Sequence, residues 1–346
     1  MKKTRLALVL AAGTVCASTA GAQQSNVTVY GRIDLGVRYA PVDLAASEDR
    51  QTTIANSSTA RIGFRGEEDL GGGRSAYFQL EHRFKADTGA VDDPNAFWKD
   101  KAWVGLASRT LGKVQLGRQS SPIDNLGVNG RFEAFGGDSL GSMGGRIARA
   151  AAKWDNSVYY TTPNLAGFSF GLAASLGESA TRRDAAGFHL DYAQGRVLLA
   201  TSYQVEQDAT VANARDSMRT ASLAGSYDFG FARPLFTAAR TVDLGPAAGG
   251  EVGERSVYTV GVRIPAGPGE VRVSYRVQDD DRANGSTFAG DRDGERLGIG
   301  YQYLLSKRTS LNLSAITERV ETQTAAGAAR TRFSGQGFEV ALRHAF

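Results

Sequence analysis

The stretch Gly337 to Phe346, GFEVALRHAF, decides the fold class. Phe338, Val340, Leu342 and Phe346 alternate there with Glu339, Ala341, Arg343 and Ala345. A period of two is the signature of a β-strand, because successive side chains leave a strand on opposite faces. One face is apolar and the other carries charge. Two environments suit such a strand: a soluble β-sandwich, whose apolar face packs in a core, or a transmembrane barrel, whose apolar face meets lipid while the charges line water.

The same pattern recurs along the chain. Between Val27 and Tyr39, Val29, Ile33, Leu35, Val37 and Tyr39 share one face, and Thr28, Tyr30, Arg32, Asp34 and Arg38 the other. Val271, Val273, Tyr275 and Val277 oppose Arg272, Ser274, Arg276 and Gln278, and Leu297, Ile299, Tyr301 and Tyr303 oppose Arg296, Gly298, Gly300 and Gln302. No apolar run approaches the roughly 18 residues that a membrane helix needs, so spanning by helices is excluded and spanning by strands is not.

The connections separate the two environments. About sixteen segments alternate, and their links are short and long in turn. Short links fall at Gly71–Gly73, Arg109–Leu111, Asn164–Gly167, Gln194–Gly195, Gly230–Ala232, Pro265–Gly269 and Ser306–Arg308. Long polar links fall at Val42–Ser58, Lys85–Trp98, Ser120–Asp155, Gly177–Ala185, Gln207–Ser217, Leu244–Glu254, Asp280–Asp293 and Thr322–Phe333. Tight turns on one rim and longer loops on the other are the plan of an outer-membrane barrel. The 42 glycines, 12 tyrosines and 16 phenylalanines suit its turns and aromatic girdles. The expected fold is therefore all-β, a 16-stranded antiparallel transmembrane barrel.

The N-terminal region predicts export. Lys2, Lys3 and Arg5 precede an apolar run from Leu6 to Ala12, and Ala20-Gly21-Ala22 has the A-x-A form of a signal-peptidase site. The expectation is a cleaved signal peptide over 1–22 and a barrel over 23–346. Cys16 follows Val15, where a lipid-anchoring signal needs a small residue, so it reads as part of the apolar run. Without the signal, 37 basic residues face 36 acidic ones and no cysteine remains. That balance leaves no nucleic-acid footprint, and neither a disulfide framework nor thiol catalysis is expected.

Several longer strings are familiar. VTVYGRIDLGV, TARIGFRGEEDLGGG, KAWVGL, GKVQLGRQ, NSVYYTTPNLAGFSFGLA, GSYDFG, YQYLLSKRTSL and the terminal RHAF occur in this order. The chain resembles the neisserial-type general diffusion porins of β-proteobacteria over essentially its whole mature length. The resemblance implies a sixteen-stranded homotrimeric barrel in the Gram-negative outer membrane. It would pass small hydrophilic solutes, touch lipid and lipopolysaccharide, and be recognised by the outer-membrane assembly machinery through Phe346. No cofactor is implied. A lumen of about sixteen strands leaves an aqueous channel, whereas about eight would be filled by side chains.

Within that resemblance, the third long link, Ser120 to Asp155, is expected to fold into the lumen. It carries Asp124, Glu133 and Asp138, and FGGD at Phe135–Asp138 is similar to the constriction-loop motif of enterobacterial porins, with Ala134 where that motif has an acid. Family porins oppose such a loop with wall arginines. Arg61 matches one position and shares its face with Arg65, Asp100 stands where a basic residue is usual, and Lys153 lies near a third basic position. The expected pore-lining set is Arg38, Arg61, Arg65, Asp100, Asp124, Glu133, Asp138 and Lys153. Opposed charges across a low-dielectric gap bias ion passage, and the expected bias is a slight anion preference weakened by Asp100. The alternative is a channel selective for one anionic solute. Arg118, with the parity of Val114 and Leu116, points outward as a candidate subunit contact.

Other motifs look chemical but lack context. Gly137-Asp138-Ser139-Leu140-Gly141 fits G-x-S-x-G, yet it sits in a glycine-rich loop with no preceding strand and following helix, so no nucleophile is assigned and no enzyme is expected. His82, His189 and His344 have no second ligand nearby in sequence. The acids Asp279–Asp281 and Asp291–Asp293 miss the spacing of a calcium loop. Trp98, Trp103 and Trp154 flank strands and are expected at membrane interfaces.

Overall fold

Each alternating segment becomes a strand that pairs with the segment before and after it, because tight reverse turns can join only antiparallel neighbours. The computed structural model describes residues 26–41, 50–125, 130–137, 139–142, 151–177, 184–207, 217–244, 251–282, 291–323 and 330–346. The strands are β1 (Asn26–Pro41), β2 in two pieces (Arg50–Asn56 and Ala60–Gly71), β3 (Arg74–Phe84), β4 (Lys101–Ser108), β5 (Gly112–Ser120), β6 (Lys153–Thr161), β7 (Phe168–Ser175) and β8 (Ala185–Gln194). They continue as β9 (Val197–Gln207), β10 (Ser217–Tyr227), β11 (Arg233–Leu244), β12 (Glu251–Ala266), β13 (Gly269–Arg282), β14 (Asp291–Leu304), β15 (Thr309–Gln323) and β16 (Thr331–Ala345). Both pieces of β2 pair with β1, so they are one strand interrupted at Ser57–Thr59. The interruption has a cause in its side chains: Ser57 donates to Glu339 at 2.7 Å and Ser58 to Asp34 at 2.6 Å. Strand pairing resumes at Arg50, inside the 42–58 link expected, and residues 42–49 lie outside the described residues.

The sheet closes on itself. β1 runs antiparallel to β16 from Arg32 opposite Ala345 to Tyr39 opposite Phe338. Beyond that ladder, Gly31 and Phe346 exchange backbone hydrogen bonds of 3.1 Å in each direction. A Cβ on Gly31 would sit 2.3 Å from the Phe346 ring, so only glycine lets the aromatic lie across the seam. A closed ladder has no unpaired edge, which is the condition for strands to cross a bilayer.

The two faces separate as the alternation predicts. On β16, Phe338, Val340 and Leu342 are 55%, 53% and 50% exposed, whereas Glu339 and Ala341 are 2% and 1% exposed. The inward set is mostly polar or small and the outward set apolar, the reverse of a soluble protein. At the short-turn rim, Gly71, Gly72 and Gly73 take φ of 77°, 60° and 72°, a left-handed run costly to other residues. On the outer wall near the other rim, the loop after β3 lays Phe97 on His82 at 4.2 Å and Trp98 edge-on to Phe64 at 6.3 Å. Trp103 and Trp154 correct the interface expectation. Trp103 shares the inward parity of Gly105, opposite outward Val104 and Leu106, and Trp154 is buried with its indole N–H on Glu206 at 2.6 Å.

Candidate functional site

The inner wall is built from the polar positions of the strands, and register sets which of them meet. Arg32 on β1 lies directly opposite Arg61 on β2, and Arg61 opposite Arg83 on β3. Three guanidinium side chains thus stand in one row across three neighbouring strands. Like charges in register repel, and carboxylates flank the row: Arg61 reaches Glu81 at 3.2 Å, Arg83 pairs with Asp100, and Arg32 bonds the Thr59 carbonyl at 3.3 Å. Glu81 also accepts the Tyr30 hydroxyl at 2.9 Å. The Arg65 guanidinium lies over the Tyr30 ring at 5.3 Å, a cation–π contact, and forms no ion pair among the described residues.

Asp100, in the loop just before β4, is buried between two cations. Besides Arg83 it meets Lys153 at 3.3 Å, and Lys153 reaches on to Asp124 and to the Ser120 hydroxyl at 2.9 Å. Burial alone would raise the Asp100 pKa, but the charges of Lys153 and Arg83 outweigh it and hold the carboxyl at about 2. Asp124 and Lys153, expected on opposed rows, are therefore partners. Arg38 binds Glu339 at 2.8 and 2.6 Å.

The segment after β5 meets the wall at many points. A single helical turn (α1, Pro122–Asn125) follows Ser121, whose hydroxyl accepts the Asp124 N–H at 3.4 Å. Ile123 and Phe132 pack on Ala200, Ala224, Ala239 and Val257, inward positions of β9–β12 whose small side chains leave room for them. Ala134 and Phe135 contact Leu235. Glu133 accepts the N–H groups of Phe135 at 3.0 Å and Gly137 at 3.1 Å and the Ser274 hydroxyl at 2.6 Å. Arg263 donates to the carbonyls of Ala134 at 2.8 Å and Glu133 at 2.6 Å. Leu140 donates its N–H to Glu339 at 2.8 Å and accepts Arg296. Asp138 lies outside the described residues.

Sequence reading placed Arg38, Arg61 and Arg65 on the inward face, and they are there. It did not pick out their partners Glu81 and Glu339, the facing Arg83, or the Glu318 carboxylate that takes Arg276 at 3.2 Å and Arg296 at 3.4 Å. The usable signal was charge at polar-parity positions. Arg118 pairs across from Ala102 on the outer face, as its parity indicated, and binds the Lys99 carbonyl at 2.8 Å and exposed Asp155 at 2.5 Å.

This geometry, a closed wall with an apolar exterior and a charged interior, matches known proteins along the whole chain. The family model for Gram-negative porins matches residues 7–341. Outer membrane porin protein 32 of Delftia acidovorans is 30% identical over 370 residues, covering 100% of both chains. The major outer membrane protein P.IB of a Neisseria meningitidis serogroup A strain is 28% identical over 364 residues, again covering 100% of both. Among solved structures, an anion-selective porin from Comamonas acidovorans superposes with a TM-score of 0.78 at 26% identity, covering 93% of this chain and 100% of that one. The chain belongs to the Gram-negative porins and is an outer-membrane diffusion channel, not an enzyme.

Proposed function

We propose that the channel passes small hydrophilic solutes with a slight preference for anions, and that residues 130–142 form its constriction. The observation that carries the preference is the in-register row Arg32–Arg61–Arg83. Such a row concentrates positive charge on one stretch of wall even though each member has a polar partner, and a low-dielectric wall focuses its field. Arg65 and Lys113 add inward cations that form no ion pair among the described residues. The similar porin from Comamonas acidovorans is itself anion-selective. The constriction is supported by the contacts of Phe132, Glu133, Phe135 and Leu140, all made to inward-facing groups.

The channel works as a homotrimer, with residues 1–22 as its export signal and Phe346 as the group its assembly machinery reads. These follow from the porin resemblance. The test is current through the detergent-purified protein in a planar bilayer under a salt gradient. Conductance steps grouped in threes, with a small reversal potential of the sign that favours chloride, are the expected result. A cation-directed potential would overturn the preference, and block by a single solute at micromolar concentration would replace it with a substrate-selective channel.

A further inference from the structure

A recess of about 720 Å³ opens on the inner wall of β2–β5 near the short-turn rim, away from the arginine row and from residues 130–142. Its lining combines two aromatic rings with cations. Tyr77 and Trp103 meet edge to face, with ring centroids 5.2 Å apart. The Tyr77 ring lies close to Gly105, where a Cβ would come within 2.9 Å of it, so the wall leaves room for that ring. Arg65 and Lys113 line the same recess, and Arg74 and Arg109 edge it at the rim. Two carboxylates, Glu67 and Asp69, also line it. Asp69 is occupied by the Gly71 N–H at 2.8 Å, and the balance of charges remains positive.

The hydrogen-bonding groups add a second indication. The Tyr77 hydroxyl is shielded from solvent and has no hydrogen-bond partner. No acceptor engages the Trp103 indole N–H, and no carboxylate pairs with Arg65 or Lys113, among the described residues. Elsewhere on the wall the corresponding groups are paired: Trp154 with Glu206, Tyr30 with Glu81, Arg38 with Glu339. Glu67 stands opposite Tyr77 in register, so the groups open to a solute are the Trp103 indole N–H and the charges of Arg65 and Lys113. The recess therefore offers a donor and positive charge beside an aromatic edge and face.

We propose that this recess is a binding subsite for a small aromatic carboxylate, its ring against Trp103 and Tyr77 and its carboxylate toward Arg65 and Lys113. The inference rests on the reading of the inner wall as a water-filled passage. The site would retain such solutes briefly at the short-turn mouth and raise their local concentration relative to aliphatic acids of equal charge. Ring-on-ring contact adds to area burial, which is the source of the discrimination.

The experiment uses the refolded full barrel and benzoate as the probe, with cyclohexanecarboxylate as the saturated control of the same charge. Chloride current in a planar bilayer is titrated with each acid from each side, every variant being referred to its own current without the acid. In parallel, equilibrium dialysis of labelled benzoate is run against the detergent-held protein. Benzoate is expected to block at about three- to tenfold lower concentration than the control, more strongly from the short-turn side. Trp103→Leu is expected to erase that ratio, and Lys113→Gln to weaken both acids together. Equal block by the two acids, or a ratio unchanged in Trp103→Leu, would overturn the subsite. Retained benzoate binding that Trp103→Leu abolishes, in a protein that conducts nothing, would instead keep the subsite and remove the channel reading. Folding of each variant is checked by its heat-dependent gel mobility, and Trp103→Phe, which keeps a ring, should preserve the preference for benzoate.

Discussion

Asp100 shows how one residue sets the electrical character of the wall. Its carboxylate neutralises Arg83 and Lys153 at once. Asp100→Asn keeps the shape and removes that charge. The expected outcome is a stronger anion preference, with the chloride-to-potassium permeability ratio rising on the order of two- to threefold, read from reversal potentials. The pH dependence has a definite sign. A carboxyl depressed from 3.8 to about 2 contributes stability in full above its unfolded pKa and loses it as pH falls from about 4 toward 2. Between pH 8 and pH 5 the Asp100 pairing should therefore leave selectivity unchanged. The inward direction of Arg38, Arg61 and Arg65 was legible because parity is a local property of the strand. Their partners were not, because Arg38 and Glu339 meet only through the register of β1 against β16, and Arg61 and Glu81 only through that of β2 against β3.

At the scale of elements, the order and antiparallel pairing of the strands were legible, since two-residue periodicity and glycine-rich turns are written in the chain itself. The break in β2 was not, because it is made by Ser57 and Ser58 reaching side chains on β16 and β1. The tryptophans misled for a related reason: flanking a strand does not say which face a ring takes. In the segment after β5, one carboxylate both holds the turn together and ties it to the wall. Glu133→Ala removes acceptors for Phe135, Gly137 and Ser274 together, and each buried donor left unbonded costs about 1–3 kcal/mol. A looser segment should give a larger single-channel conductance with greater current noise, while a conductance equal to wild type would remove the constriction role. The seam offers a second test. Gly31→Leu forces the Phe346 ring off the wall, and overpacking of this kind costs about 1–3 kcal/mol. A lower urea midpoint for loss of the compact gel band, or a smaller folded fraction at equal time, is the expected result.

For the whole molecule, pairing runs unbroken from β1 through β16 and back to β1, and this circuit gives the barrel its independence from any core. Among the described residues, buried apolar side chains gather in small inward clusters around Phe132, Phe135 and Trp154. Stability in the membrane rests instead on backbone bonds that have no water to compete with them. Because β1 pairs with β16, the wall stays open until the distal strand is available. A chain that lacks β16 exposes two edges, on β1 and β15, and cannot rest in lipid without leaving a row of amides unbonded. The seam therefore acts as a check on completeness during biogenesis. The polypeptide must be held extended and unaggregated across the aqueous compartment, and an unfinished copy is left accessible to proteolysis.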